Sequence, residues 1–298
     1  MGYYANLPIL PTITTCLKSL ADETPIIQIS PVGGGCIHRV FCITTEKRPY
    51  LLKWNPNPPA HIFNVEAKGL ILLARSGVVR VPEVLALNQQ PDFILLEWID
   101  LNGGSSQWDQ ERLGSQLATL HKSETMKSYG LDHNNYIGAT VQINDWRTNW
   151  DVFFRDCRLE PQIHLAIQKG ALNSTHLRKL TWICDHLDLW IDLSNTKPSL
   201  LHGDLWAGNV ICASDGQPVL IDPAVYYGDR EAELAFTELF GGFTQRFYQA
   251  YNETWPLAPG YRDRKDLYNL YHLLNHLNIF GAANFGQVLA VINRYAGI

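Results

Sequence analysis

The sequence predicts an α+β chain of two lobes, a small β-rich lobe over residues 1–99 and a larger, mainly helical lobe over residues 100–298. Three observations carry this. The apolar runs Ile26–Ser30, Arg39–Thr44, Tyr50–Trp54 and Phe93–Ile99 are short and punctuated by Gly, Pro and charged residues, as strands and turns are. From Gln110 onward, apolar residues recur at helical spacing instead. The connector Asp100–Ser106 separates the two regimes, and beyond it the helical pattern is interrupted by a hairpin-like stretch between Asp204 and Asp222. At 298 residues, with 46% hydrophobic and 18% charged composition, the chain can bury a sizeable core.

In chain order, Leu7, Ile9, Leu10, Ile13, Leu17 and Leu20 predict a short helix opening after Pro8 or Pro11. The strand Ile26–Ser30 runs into Pro31-Val32-Gly33-Gly34-Gly35-Cys36-Ile37-His38, and Arg39–Thr44 returns as a second strand. Gly33, Gly34 and Gly35 permit close backbone approach to anionic oxygens, with successive N–H groups able to point at them. No Gly-Lys-Ser/Thr follows, so this is not a Walker A loop. The third strand, Tyr50–Trp54, carries Lys53 alone among apolar neighbours, where an edge or snorkelling role is the ordinary explanation. The next segment, His61–Ser76, has helical spacing and Glu66 as its one acidic residue, a partner for Lys53. The strand Phe93–Ile99 ends where a hinge between lobes belongs, with Glu97 and Ile99 placed to meet a nucleotide base through backbone and apolar contacts. Helices are expected over Gln110–Lys122, Trp146–Lys169, Leu177–Leu193, Arg262–Phe280 and Phe285–Tyr295, with a polar loop at Tyr129–Gly138.

The chemistry concentrates in Leu201-His202-Gly203-Asp204-Leu205-Trp206-Ala207-Gly208-Asn209 and in Val219-Leu220-Ile221-Asp222-Pro223-Ala224. Asp204 and Asn209 are five apart, and Asp222 follows on the next apolar run. Phosphoryl transfer needs a carboxylate to accept the substrate hydroxyl's proton and oxygen ligands to hold Mg²⁺ on the nucleotide phosphates. Protein kinases space their base and metal-binding Asn in this way, with a second metal-binding Asp on the following strand, and pair a strand lysine with a helix glutamate. Asp204 is thus the candidate base, Asn209 and Asp222 the candidate Mg²⁺ ligands, and Lys53 with Glu66 the candidate phosphate contact. Turn residues alone would explain either half of the pattern; both halves together at this spacing favour the chemical reading over that one. The fold expected is a bilobal protein-kinase-like one using ATP and Mg²⁺. Gly203 stands where protein kinases have Arg, Pro-Ala follows Asp222 instead of Phe-Gly, and no Ala-Pro-Glu segment occurs, so the acceptor hydroxyl is expected on a small molecule or small adduct.

Bulk properties narrow the partners. A net charge of −5 without a basic run argues against nucleic acid. No apolar run reaches membrane-spanning length, and Met1–Asn6 has neither signal-peptide nor myristoylation form. Six scattered cysteines without a CxxC pair read as reduced thiols, so a cytoplasmic location is expected.

These motifs carry a resemblance to the fructosamine-3-kinase, or ketosamine-3-kinase, family, relatives of aminoglycoside phosphotransferases and choline kinases. His202–Asn209 resembles its His-Gly-Asp-Leu-Trp-Ser-Gly-Asn, with Ala207 in place of Ser. Asp222–Gly228, Glu231, Glu233-Leu234-Ala235, Phe240-Gly241-Gly242-Phe243, Ala258-Pro259-Gly260, Gly33–Ile37 and Val79–Pro82 match as well. The resemblance implies ATP-dependent phosphorylation of the C3 hydroxyl of a ketosamine, free or on a glycated protein lysine, in protein deglycation. It implies that Trp206 lies at the sugar site, where a core aromatic is the alternative. It further implies a redox role for Cys36, in a monomer or a disulfide-linked homodimer; His38, Arg39 and Lys53 nearby favour its thiolate. Two rivals stand beside it. An aminoglycoside- or choline-type phosphotransferase would exploit an acidic cleft, for which Asp229, Glu231, Glu233 and Glu238 are available. A pseudokinase-like binding module would lack one of the catalytic residues, all of which are present.

Overall fold

The computed structural model describes residues 7–33, 38–101 and 109–296. The chain divides into two compact units, Met1–Trp108 with Ile211–Ile221, and Asp109–Val210 with Asp222–Ile298.

In the first unit, helix α1 (Leu10–Ser19) precedes strands β1 (Ile26–Pro31), β2 (Arg39–Thr45) and β3 (Pro49–Trp54), helix α2 (Ile62–Arg75), and strands β4 (Val84–Gln89) and β5 (Asp92–Glu97). The strands form a five-stranded sheet in the order β1-β2-β3-β5-β4, antiparallel throughout. The period of two divides β3 between faces. Tyr50, Leu52 and Trp54 join Phe41, Ile43, Phe93 and Leu95 in a core closed by Ile13 and Leu17 of α1. Lys53 therefore projects from the other face, toward α2. At the edge of this core, Asp22 is buried and accepts hydrogen bonds from Thr24, from Thr45 Oγ1 at 2.7 Å and from Tyr50 Oη at 2.7 Å.

The second unit opens with helix α3 (Gln110–Ser123), whose first turn is capped by Asp109 accepting from the Arg112 N–H. A small hairpin pairs β6 (Asn135–Ile137), inside the expected polar loop, with β7 (Thr140–Gln142), just beyond it. The expected long helix runs as α4 (Trp150–Phe154), a π-turn at Arg155–Leu159, and α5 (Glu160–Gln168). Then come α6 (Ser174–Asp185), β8 (Ser199–Leu201), β9 (Val210–Cys212), β10 (Pro218–Leu220), β11 (Tyr226–Gly228), α7 (Arg230–Leu239), α8 (Gln245–Thr254), α9 (Tyr261–Phe280) and α10 (Phe285–Tyr295). β9 pairs with β10, and this hairpin is tied within the first unit by Ser214 N–H to Asp100 O at 2.7 Å and Leu220 N–H to Arg80 O at 2.9 Å. The core of the second unit gathers Trp150, Phe153 and Phe154 with Leu180, Ile183, Leu267, Leu270, Leu274 and Ile292. Among the described residues, no helix is long and apolar enough to cross a membrane.

Candidate active site

The expected site residues fall in both units. In the second, β8 pairs antiparallel with β11, Leu201 facing Tyr226. The segment leaving β8 and the one entering β11 therefore lie side by side, and the Ala224 N–H donates to His202 O at 2.9 Å. This pairing brings Asp204 and Asp222 together across eighteen residues of chain. Gly203 has a φ of +83°, and a Cβ there would stand 2.0 Å from Ala224 O. The side-by-side approach thus excludes any side chain, the Arg of protein kinases included.

Asp204 is half-buried and Asn209 buried, while Asp222 is exposed. The Asn209 side-chain amide donates to Asp204 O at 2.8 Å and to Asp204 Oδ2 at 3.1 Å. Burial raises the Asp204 carboxyl to about 7, the charges of Asp222 and Glu233 add to the rise, and the Asn209 hydrogen bond opposes it. A carboxyl poised near neutrality is well matched to accepting a proton in the transition state. Asp222 holds a left-handed backbone, φ +55°, uncommon for a residue with a side chain. The donor set fits a hard cation: the Asn209 nitrogen is spent on Asp204, its amide oxygen is the remaining end, and Asp222 supplies an exposed carboxylate.

Two buried networks hold these segments, and neither was expected. Glu233 of α7 is 3% exposed. Its Oε1 accepts the Gly203 N–H at 2.7 Å, and its Oε2 accepts the His202 N–H at 3.2 Å and His121 Nε2 at 2.9 Å. His121 Nδ1 in turn lies 2.9 Å from the Tyr251 hydroxyl. Burial alone would raise the Glu233 carboxyl; the hydrogen bond and charge of His121, with His202 and the Gly203 N–H, reverse this and hold it below its ordinary value. The second network fixes the Asp222 segment. Asn135 donates to Val225 O at 2.8 Å and Gln142 to Ala224 O at 2.9 Å, while Tyr271 Oη donates to Gln142 Oε1 at 2.9 Å. Asn144 and the buried Arg158 complete it, the Arg158 guanidinium lying 3.9 Å over the Tyr226 ring.

Trp206 is 41% exposed, and its indole lies against Gly208, where a Cβ would come within 2.2 Å of the ring. Its edge meets Phe240 at 6.4 Å between centroids. The acidic set that could have lined a cleft is instead consumed internally. Asp229 caps α7 and accepts from Tyr268, Glu231 pairs with Arg264 through two hydrogen bonds, Glu233 holds the loop, and Glu238 binds Lys265 and Tyr261.

In the first unit, Lys53 Nζ lies 2.5 Å from Glu66 Oε1, with both side chains largely buried. Glu97 is turned to Arg80, 3.6 Å away, and to the Glu83 N–H at 3.2 Å. Ile99 is buried with Ala213 and Val219 against Ile211. Gly33 follows β1 in a turn with open space where a Cβ would stand. Gly34, Gly35 and Cys36 lie outside the described residues.

The family model described as fructosamine kinase matches residues 10–296. The chain belongs to the fructosamine kinase family. A probable ketoamine kinase of Vibrio parahaemolyticus is 39% identical over 281 residues, 93% of this chain and 95% of the relative. A crystal structure of a putative fructosamine-3-kinase from Haemophilus somnus superposes with a TM-score of 0.84 at 31% identity, covering 95% of each chain. A choline kinase from Streptococcus pneumoniae shares the fold alone, with a TM-score of 0.64 at 14% identity over 98% of this chain and all of the other. The architecture is thus kinase-like, an antiparallel sheet followed by a helical region. As a fructosamine kinase, the chain is an ATP-dependent phosphotransferase acting on ketosamines.

Proposed function

We propose that the chain transfers the γ-phosphoryl group of ATP to the C3 hydroxyl of a ketosamine, with Asp204 as the base. The Asp204–Asn209 contact beside Asp222 carries this reading, because it sets a proton acceptor next to two oxygen donors of opposite exposure. Asp204 takes the proton from the C3 hydroxyl as that oxygen bonds to the γ-phosphorus and the bond to the β-phosphate oxygen breaks. Asn209 fixes the Asp204 carboxylate and, with Asp222, would hold Mg²⁺. When bound, the cation neutralises charge on the phosphate oxygens. Lys53, oriented by Glu66, contacts the phosphates; Gly33, Gly34 and Gly35 supply backbone N–H groups; Ile99 and the backbone around Glu97 receive the adenine. Trp206 stacks on the sugar. The product is a 3-phosphorylated adduct that breaks down, which fits a role in protein deglycation. A cytoplasmic setting fits six scattered cysteines without a CxxC pair.

An aminoglycoside- or choline-type acceptor is disfavoured because Asp229, Glu231, Glu233 and Glu238 have internal partners. The test is ATP consumption with Mg²⁺ against fructosamine, ribulosamine and erythrulosamine adducts, kanamycin and choline. Turnover of a ketosamine with a 3-phosphate product is expected. Activity on kanamycin or choline with none on any ketosamine refutes the reading.

A further inference from the structure

An aromatic ladder leaves the catalytic loop of the second unit. Trp206 meets Phe240 edge-on at 6.4 Å, Phe240 stacks on His276 at 4.8 Å, and His276 meets Phe280 at 5.3 Å. A buried layer supports it: Phe236 touches Phe240 edge-on and stacks on His272 at 3.5 Å. Yet Trp206 and Phe240 are each 41% exposed and Phe280 is 56% exposed. Exposed aromatics braced by a buried layer are a contact surface rather than a core.

We propose that Phe240, His276 and Phe280, running on from Trp206 at the sugar, hold the amine-bearing chain of the substrate, a cationic chain with an apolar stem such as that of a glycated lysine, and thereby select the carrier. The inference rests on the ketosamine reading above. In a ketosamine the reacting hydroxyl is on C3 and the secondary amine on C1, two carbons away. When the hydroxyl reaches Asp204, the ammonium is necessarily beside the catalytic loop, and the ladder starts at Trp206, two residues from Asp204. The carboxylates of α7 are engaged elsewhere, and the ring faces that run on from Trp206 attract a cation by themselves. Beyond the ammonium the ladder continues over three further rings, more than one sugar covers, and aromatic faces pack well against the methylenes of a lysine stem. Burial also lowers the His276 pKa, so its ring is neutral near pH 7 and does not repel an ammonium.

The experiment compares adducts of one sugar on methylamine, hexylamine and Nα-acetyl-lysine. The wild type is expected to favour the two longer carriers about tenfold in kcat/KM, mainly through KM. Phe240→Ala and Phe280→Ala should each shrink that preference to about twofold or less, with melting temperatures confirming that they fold. Leu189→Ala, which removes a comparably exposed side chain, should leave it intact. Equal kcat/KM for all three adducts, or a preference kept in both Phe variants, overturns the inference and leaves the ketosamine reading standing. A wild type that phosphorylates none of the three overturns the ketosamine reading and this inference with it.

Discussion

Glu233→Gln is the perturbation that isolates the support of the catalytic loop. The native carboxylate accepts from three donors, the backbone N–H groups of His202 and Gly203 and the Nε2 of His121, all in a buried setting. Glutamine fills the same volume but keeps one acceptor oxygen and turns an NH₂ toward a donor. Losing one buried partner costs about 1–3 kcal/mol, and the remaining bonds lose their charge assistance, roughly halving them. A total near ~3 kcal/mol corresponds to a fall in melting temperature of about 6–12 °C for a chain of this size. Asp204 stands directly after Gly203, and misplacing a reacting group by about 1 Å costs about 10²-fold. Differential scanning fluorimetry and steady-state kinetics should therefore show a lower melting point and a kcat reduced more than about tenfold, with KM for ATP within a fewfold. Glu233→Asp, which keeps the charge, should fall between. A Glu233→Gln protein melting within about 1 °C of wild type with kcat within about twofold would show that Glu233 does not brace the loop.

Asp204→Asn should lower kcat by about 10²–10⁴-fold while nucleotide affinity, measured by calorimetry, is retained; near-native turnover would remove Asp204 from the role of base. Lys53→Ala should raise KM for ATP at least about tenfold and also destabilise the first unit, because Glu66 loses a buried partner; an unchanged KM would sink the phosphate-contact role. Asp22 makes a pH prediction. Burial pushes its carboxyl up, but the hydrogen bonds from Thr24, Thr45 and Tyr50 outweigh that and hold the pKa well below the usual carboxylate range. A depressed folded-state pKa stabilises fully above the unfolded value of about 4, and that stability is lost as pH falls below it. Urea titrations at pH 6 and pH 3 should show wild type losing more stability than Asp22→Asn, and equal losses would contradict this.

Much of this was legible in the sequence because the chemistry is local there. The spacing of Asp204 and Asn209, and the lone Lys53 in an apolar strand, led to contacts that the structure contains. Long strands and periodic helices were legible for the same reason. The three-residue strands β6 to β11 are too short to show a period, and α8 buries only Phe247, Ala250 and Tyr251 in an otherwise polar run. Asn135 falls in the expected polar loop, yet it is buried with Gln142 and Asn144, because their partners are carbonyls eighty or more residues away or each other. Glu233 did leave a signal. It sits among the buried Ala232, Leu234, Ala235 and Phe236, as Lys53 sits in its strand, but neighbouring acids made it look like part of an acidic surface.

The left-handed backbone at Asp222 sets stability against activity at a single position. A residue with a Cβ in that conformation costs about 1 kcal/mol or more relative to glycine, so Asp222→Gly should relieve strain while deleting a carboxylate. Directed evolution that rewards heat resistance alone would be drawn toward that change and would enrich robust, silent proteins. Any campaign to harden this enzyme should freeze residue 222 first and search for gains elsewhere.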